Sequence, residues 1–119
     1  MNTEQHNTLA AYCRVGHHDE WALTQQMSIV REFALKHTGR EVTLEYFDAC
    51  SGNPNRGKGL HNLLLAAQQR QFDTLVVYSA TRIARDPRQV WTIIAELAQN
   101  GVCVKSVLQD TSLLEFLME

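Results

Sequence analysis

The sequence has few of the residues that hold small domains together by covalent or metal bonds. Its three cysteines, Cys13, Cys50 and Cys103, are widely separated and form no C-x-x-C pair. This pattern argues against a disulfide framework and predicts a reduced, cytoplasmic protein. The histidines have no metal-ligand spacing with cysteine or acidic residues, so we expect no metal site. No apolar run approaches the roughly 20 residues of a transmembrane helix, and we expect no contact with a membrane.

A strong net charge is also missing. Eleven Lys and Arg residues against thirteen Asp and Glu residues leave a net charge of −2 at pH 7, which argues against a broad basic surface for nucleic acid. With 119 residues, of which 45% are apolar, the chain predicts one globular domain over residues 1–119. Several basic residues instead cluster in or beside three short segments, and this clustering favours a local anion-binding site. They are Arg14, Arg56, Lys58, Arg82, Arg85 and Arg88.

The apolar periodicity predicts strands and helices in alternation. The predicted strands are Leu9–Val15, Val42–Phe47, Thr74–Tyr78 and Val102–Val107; the predicted helices are Trp21–Thr38, Leu60–Gln71 and Pro87–Asn100, with Asp86 as N-cap of the last and a further helix beginning at Thr111. This order predicts a doubly wound α/β fold of three layers, αβα, around a four-stranded, mainly parallel sheet.

In such a sheet every strand-to-helix loop lies at the carboxyl edge, where ligands bind. The unusual residues follow strands one, two and three, and the opposite edge carries nothing comparable. Arg14 at the end of an apolar strand predicts either an anion site or an ion pair with Asp48. Arg82 and Arg85 are three residues apart, which predicts that both face one phosphate from a helical turn; the alternative is a solvated helix start paired with Asp86.

The joint pattern resembles the catalytic domain of the serine recombinases, the group of resolvases, invertases and phage integrases. The resemblance runs from about Ala10 to Val107 and rests on these segments: Tyr12-Cys-Arg-Val-Gly16, Gln25, Asp48-Ala-Cys-Ser-Gly52, Gly59-Leu60 and Arg82-Ile-Ala-Arg85. In that family a serine attacks a DNA phosphodiester held by arginines, four subunits exchange strands, and no metal or cofactor is needed.

The resemblance implies a role for each matching residue. Tyr12, Gln25, Asp48 and Ser51 match positions of the catalytic site. The resemblance also implies DNA-phosphate binding by basic residues: Arg14, Arg56, Lys58, Arg82 and Arg85. The expected partners are DNA and further recombinase subunits, as a homo- or hetero-oligomer. Family members continue into a dimerising helix and a DNA-binding domain that this sequence lacks, so we expect weak DNA binding by this chain alone.

The departures from the family pattern fall at positions that supply the nucleophile and the supporting charged groups in that family. Gly16 stands in place of the nucleophilic serine, and glycine has no oxygen with which to form a phosphoester. Thr81 replaces an aspartate, Ala66 replaces a helix lysine, and Gly57 replaces a basic residue, although Arg56 and Lys58 flank it. The resemblance therefore implies a recombinase domain whose activity is absent or very low.

Two other functions remain open at this point. The first is a non-catalytic partner that joins or regulates active recombinase subunits. The second is a cysteine phosphatase of the low-molecular-weight type, since Cys50 and Arg56 form a C-x5-R pattern and Asp86-Pro87 offers a general acid. His17 and His18 lie beside the missing serine, and we interpret both as exposed loop residues.

Overall fold

A computed structural model describes residues 8–16, 19–49 and 58–108. Its strands are β1 (Leu9–Val15), β2 (Leu44–Ala49), β3 (Thr74–Val77) and β4 (Cys103–Ser106); its helices are α1 (Glu20–Thr38), α2 (Lys58–Gln68) and α3 (Pro87–Gln99), with a 3-10 turn at Ala80–Arg82. The predicted helix from Thr111 lies outside the described residues. None of the helices in the described ranges has the length and apolarity to span a membrane.

The four strands form one parallel sheet in the order β2-β1-β3-β4. The predicted α/β fold is therefore confirmed, and the sheet is parallel throughout. The central strands β1 and β3 are buried along nearly their whole length. The edge strands β2 and β4 alternate between exposed and half-buried residues, except for the buried Asp48 of β2. Continuous burial explains the unbroken apolar sequences of β1 and β3, because helices cover a central parallel strand on both faces.

Successive residues of β1 enter two separate cores. Ala10 and Tyr12 pack with α2, α3 and β3 on one face of the sheet. Leu9, Ala11 and Cys13 pack with the apolar stripe of α1 on the other face. The alternation follows from the two-residue period of a strand, which sends neighbouring side chains to opposite faces. Tyr12 and Cys13 are therefore adjacent in sequence and separated by the sheet.

Local chemistry sets the helix ends. The Asp19 carboxylate accepts a hydrogen bond from Ala22 N at 3.0 Å and begins α1, and Gly39 ends it with φ +72°. Asp86 caps α3 through Arg88 N at 3.0 Å, with Pro87 in the first turn. These caps confirm the predicted starts of both helices within one residue, because a cap depends on residues close in sequence.

Two elements differ from their predicted bounds by two residues or more at each end. β2 runs from Leu44 to Ala49 and not from Val42 to Phe47, because its pairing with β1 continues to the Val15–Ala49 position. α2 spans Lys58–Gln68 and not Leu60–Gln71, since Arg70 adopts the left-handed conformation (φ 58°) and turns the chain toward β3. Both shifts come from contacts between elements, which apolar periodicity does not record.

The amino edge of the sheet carries an ion pair that the sequence did not predict. Arg40, between α1 and β2, donates to Asp73 Oδ1 at 3.1 Å and to Thr74 Oγ1 at 2.7 Å. Asp73 N in turn donates to Thr8 O at 3.0 Å. These bonds tie the start of β3 to the chain before β1 and β2, so the pair stabilises the fold at the edge opposite the candidate site.

Substitution of Gly59 and of Gly16 by alanine should affect the stability of the fold very differently. A Cβ at Gly59 would meet the Phe47 carbonyl oxygen, and would lie 2.8 Å from Phe47 C and 3.0 Å from its N. We expect Gly59→Ala to lower the free energy of unfolding by about 1–3 kcal/mol, because the added methyl group would meet backbone atoms of Phe47, which cannot move aside as a flexible side chain can. Gly16→Ala is the matched control, since a Cβ there meets no atom of residues 8–16, 19–49 or 58–108 within 4 Å. Urea denaturation of both variants checks the difference, and equal stability would contradict it.

The thiols of Cys13 and Cys103 should differ in their reactivity. Burial, with a smaller contribution from the Glu45 carboxylate, raises the pKa of the Cys13 thiol to about 12, whereas Cys103 is exposed. Because the thiolate is the reactive form, we expect iodoacetamide at mildly alkaline pH to modify Cys103 and spare Cys13 in the native protein. Peptide mass spectrometry checks this, with labelling in denaturant as the control. Equal labelling of Cys13 in both states would contradict it.

Candidate functional site

The candidate site lies at the carboxyl edge of the sheet. Arg14 lies near the end of β1 and Gly16 follows it, Asp48 lies near the end of β2, and the 3-10 turn Ala80–Arg82 follows β3. The predicted position of these residues at one edge is therefore confirmed. Several predicted site residues lie outside the described residues, and their roles stay predictions: His17, His18, Cys50, Ser51, Arg56 and Gly57.

Asp48 is a buried carboxylate that joins three elements. It accepts hydrogen bonds from the Tyr12 hydroxyl at 2.7 Å, from Gly59 N at 2.8 Å and from Leu60 N at 3.0 Å. Two of these donors belong to the first turn of α2, so Asp48 caps a helix that begins ten residues later. Asp48 is 7% exposed, and three donors compensate the cost of burying its charge.

The alternative of an ion pair between Arg14 and Asp48 is wrong. The ion pairs found within the described ranges are Arg31–Glu45 and Arg40–Asp73. Arg14 and Asp48 are register partners in the sheet, but their side chains bind different groups. The carboxylate is used by Tyr12 and α2, and the guanidinium extends instead toward the chain that follows β3.

Arg14 binds the 3-10 turn through backbone carbonyls. Its Nε donates to Arg82 O at 3.0 Å, and its Nη2 donates to Thr81 O at 2.6 Å. Two neighbouring N–H groups of one guanidinium thus hold two successive carbonyls. A planar fork suits this arrangement, because its donors have a fixed spacing. Arg14 therefore connects the end of β1 to the turn after β3.

Gln26, and not Gln25, reaches β1 from α1. Arg14 N donates to Gln26 Oε1 at 3.1 Å, and Gln26 Nε2 donates to Arg14 O at 3.2 Å. β3 pairs with β1 only as far as Tyr12, and beyond that point the Gln26 amide binds the Arg14 peptide groups. Gln25 is exposed on the other side of the helix. Neighbouring residues of an α-helix point about 100° apart around the helix axis. Gln26 can therefore face β1 while Gln25 faces solvent.

Arg82 and Arg85 do not share one helical turn, which corrects the sequence prediction. The 3-10 turn ends at Arg82, and Arg85 follows in irregular chain just before α3. Arg85 is exposed, whereas Arg82 is half-buried. Within the described ranges, Arg82 Nε is the one buried side-chain nitrogen or oxygen that lacks a hydrogen-bond partner. A buried donor without an acceptor is costly, which makes Arg82 the arginine best prepared to receive an anionic ligand.

Gly16 has no close neighbour among the residues that the structure describes. An ideal Cβ built on Gly16 meets none of their atoms within 4 Å, and its φ lies outside the left-handed region. The backbone conformation at this position therefore accommodates a side chain without strain. Of the other departures from the family pattern, Thr81 is exposed with its hydroxyl 2.8 Å from Ser79 Oγ. Ala66 is buried in the core beneath α2.

The positive ends of three helices meet at this edge, and an aspartate caps each one. Asp19 caps α1, Asp48 caps α2 and Asp86 caps α3. A free helix N-terminus attracts anions through its N–H groups, but these carboxylates already occupy that role. An anion at this edge therefore depends on arginine side chains. No cluster of three or more histidine, cysteine or acidic side chains suited to a metal ion occurs within the described ranges.

The sequence and the fold match known proteins over nearly the whole chain. The family model described as "Resolvase, N terminal domain" matches residues 9–115. Among solved structures, the C-terminal catalytic domain of ISC1926 TnpA, an IS607-like serine recombinase, is 25% identical with a TM-score of 0.74, covering 92% of this chain and 75% of that one. No curated protein matches the chain.

Two further solved structures share the fold. The N-terminal catalytic domain of TP901-1 integrase is 21% identical with a TM-score of 0.72, covering 93% of this chain and 88% of that one. A resolvase family site-specific recombinase from Streptococcus pneumoniae is 21% identical with a TM-score of 0.75, covering 93% and 83%. These proteins have the same arrangement of helices around a parallel sheet.

Substitution of Asp48 by asparagine should destabilise the fold more than the same substitution of Asp86. Asp48→Asn keeps one acceptor oxygen and loses the charge, so we expect the free energy of unfolding to fall by about 1.5–3 kcal/mol. Asp86→Asn is the matched control, because asparagine caps a helix as well as aspartate does. Urea denaturation of the two variants checks the prediction. If both variants lost the same amount, the buried Asp48 network would not have the importance that we assign to it.

Proposed function

We propose, from the premise that the chain belongs to the resolvase N-terminal domain family, that it is a serine-recombinase domain which binds a DNA phosphodiester and has lost the nucleophile. The observation that carries this proposal is Gly16. It follows β1 at the carboxyl edge, two residues after Arg14, and no atom in the described part of the chain lies within 4 Å of the place where its side chain would begin. The nearby arginines supply the positive charge that a phosphodiester requires.

DNA recombination is the activity that the relatives support. The similar solved proteins are described as serine recombinases, an integrase and a site-specific recombinase. The resemblance implies that the family's serine oxygen attacks phosphorus while the DNA 3′-oxygen leaves with a proton. A glycine supplies no oxygen for this step, and removal of a covalent nucleophile costs on the order of a millionfold in rate. The proposed domain therefore binds DNA without cleaving it.

Arg82 is the principal phosphate ligand in this proposal. Its buried Nε has no partner among the described residues, and a phosphate oxygen would satisfy that donor. Arg85 is exposed within three residues of it and adds charge at the same edge. Lys58, exposed in the first turn of α2, adds a further positive charge near the end of β2.

A non-catalytic partner of active recombinase subunits is the second candidate. Trp21 on α1 and Trp91 on α3 are 72% and 46% exposed. Large exposed aromatic side chains are typical of protein–protein contacts. Inhibition of an intact recombinase by added wild-type chain, relieved by Trp21→Ala or Trp91→Ala, would support this candidate, whereas no inhibition would oppose it. The phosphatase alternative is not favoured, because the family match to residues 9–115 already accounts for the chain.

Restoration of the hydroxyl tests the main proposal. We expect Gly16→Ser to form a covalent protein–DNA adduct with supercoiled DNA that carries the recombination site of a related element. The wild-type chain and the Gly16→Ala control should form none, because neither supplies an oxygen. Denaturing gel electrophoresis after protease treatment detects the adduct. An adduct with the wild-type chain would overturn the proposed loss of activity.

A second result would also oppose the proposal. If Gly16→Ser stays inactive while it binds the same DNA, the missing serine is not the step that silences the domain. The remaining departures, Thr81, Ala66 and Gly57, would then account for the loss. Gly16→Ser combined with Thr81→Asp separates these cases, because it restores two positions of the family pattern together.

A further inference from the structure

Four basic side chains at the carboxyl edge have no carboxylate partner in the described part of the chain: Arg14, Lys58, Arg82 and Arg85. The ion pairs within residues 8–16, 19–49 and 58–108 are Arg31–Glu45 and Arg40–Asp73, and neither includes one of these four. Arg14 donates to backbone carbonyls, which carry no net charge and so do not neutralise it. The basic side chains therefore keep their full charge for a ligand.

The aspartates of the same edge interact with the backbone instead. Asp19, Asp48 and Asp86 each accept hydrogen bonds from N–H groups in the first turn of a helix. Their negative charges thus meet the positive ends of three helix dipoles. An excess of positive charge remains at this edge, although the whole chain has a net charge of −2.

We propose that this edge binds the phosphate at the end of a DNA strand, a phosphomonoester, in preference to the phosphodiester of an intact strand. The inference rests on the proposed function and narrows its ligand from DNA phosphate in general to a strand end, such as the one at a nick. A phosphomonoester carries a charge of about −1.5 to −2 at pH 7, whereas a diester carries a single negative charge. The unpaired basic groups therefore attract the monoester more strongly.

The number of free phosphate oxygens favours the same ligand. Arg82 Nε is buried and has no hydrogen-bond partner among the described residues, and a guanidinium binds two oxygens side by side. A diester has two oxygens that are not esterified, so Arg82 would use both. A monoester has three, and the third oxygen is left for Arg85 or Lys58, which are exposed at the same edge.

Gly16 is the second structural argument for a strand end. In the reaction that the resemblance implies, a serine oxygen at this position becomes the fourth oxygen on phosphorus. Glycine supplies no such oxygen, and no atom of the described residues lies within 4 Å of the place where its Cβ would be. The third free oxygen of a terminal phosphate completes the same tetrahedron. Because the 3′-oxygen leaves in that reaction, we expect the 5′-phosphate to be the preferred end.

Nicked DNA duplexes of one sequence test the inference. Fluorescence anisotropy at low ionic strength compares the intact duplex with nicks that carry a 5′-phosphate, a 5′-methyl phosphate, a 5′-hydroxyl or a 3′-phosphate. We expect the wild-type chain to bind the 5′-phosphate nick about tenfold more tightly than the 5′-methyl phosphate nick, the gain typical of one charge-assisted hydrogen bond. The methyl ester has nearly the same shape and one negative charge less, so it isolates the effect of the monoester.

Each outcome of this comparison has a distinct meaning. Tighter binding of the 3′-phosphate nick than of the methyl phosphate nick would support recognition of a monoester with the opposite strand polarity. Equal affinity for the 5′-phosphate, methyl phosphate, 3′-phosphate and intact duplexes would overturn the inference and leave the proposed function standing. Failure to bind any of the duplexes would overturn both.

Two pairs of variants locate the binding to this edge. Arg82→Gln should abolish the preference for the 5′-phosphate, whereas Arg31→Gln, which also removes one positive charge, should keep it because Arg31 binds Glu45. Thr81→Asp places a carboxylate next to Arg82 at an exposed position and should lower the preference, whereas the neutral Thr81→Asn should not. This second pair decides the matter if Arg82→Gln does not fold. Equal effects within both pairs would show that the terminal phosphate binds elsewhere and would contradict the inference.

Discussion

The carboxylate of Asp48 joins parts of the chain that are distant in sequence. Its donors are the Tyr12 hydroxyl, 36 residues away, and the Gly59 and Leu60 amides of α2. Each of these donors lies at the carboxyl edge, so the bonds form only when β1, β2 and α2 are packed together. A buried carboxylate without them would be strongly destabilising. The geometry of the whole edge therefore depends on this cluster.

The same edge shows how the fold divides two electrostatic tasks. Aspartates bind the N-termini of α1, α2 and α3, which leaves anion binding to the arginines. Of these, Arg14 is engaged by backbone carbonyls, whereas the buried Nε of Arg82 has no hydrogen-bond partner among the residues that the structure describes. Helix ends hold the scaffold together, and guanidinium groups provide the charge for a ligand.

This division explains why a residue at the chemical centre can change without loss of the fold. Among the described residues, no atom lies within 4 Å of the place where a Gly16 side chain would begin, so neither core of the described fold depends on one. Arg82 and Gly16 belong to different segments of the chain, because Arg82 ends the 3-10 turn after β3 whereas Gly16 follows β1. In the proposed function, phosphate binding and bond cleavage would therefore be separable.

The sequence alone determined the order of the elements, a mainly parallel sheet, the N-cap of α3, and the edge at which the candidate residues lie. These features follow from periodicity and from residues adjacent in the chain. Only the tertiary structure decided that Gln26 and not Gln25 faces β1, that Asp48 binds Tyr12 and α2, and that Arg14 holds the turn. The reason is that a hydrogen bond between distant elements depends on direction and separation to within a fraction of an ångström, and residue type and spacing along the chain do not specify either.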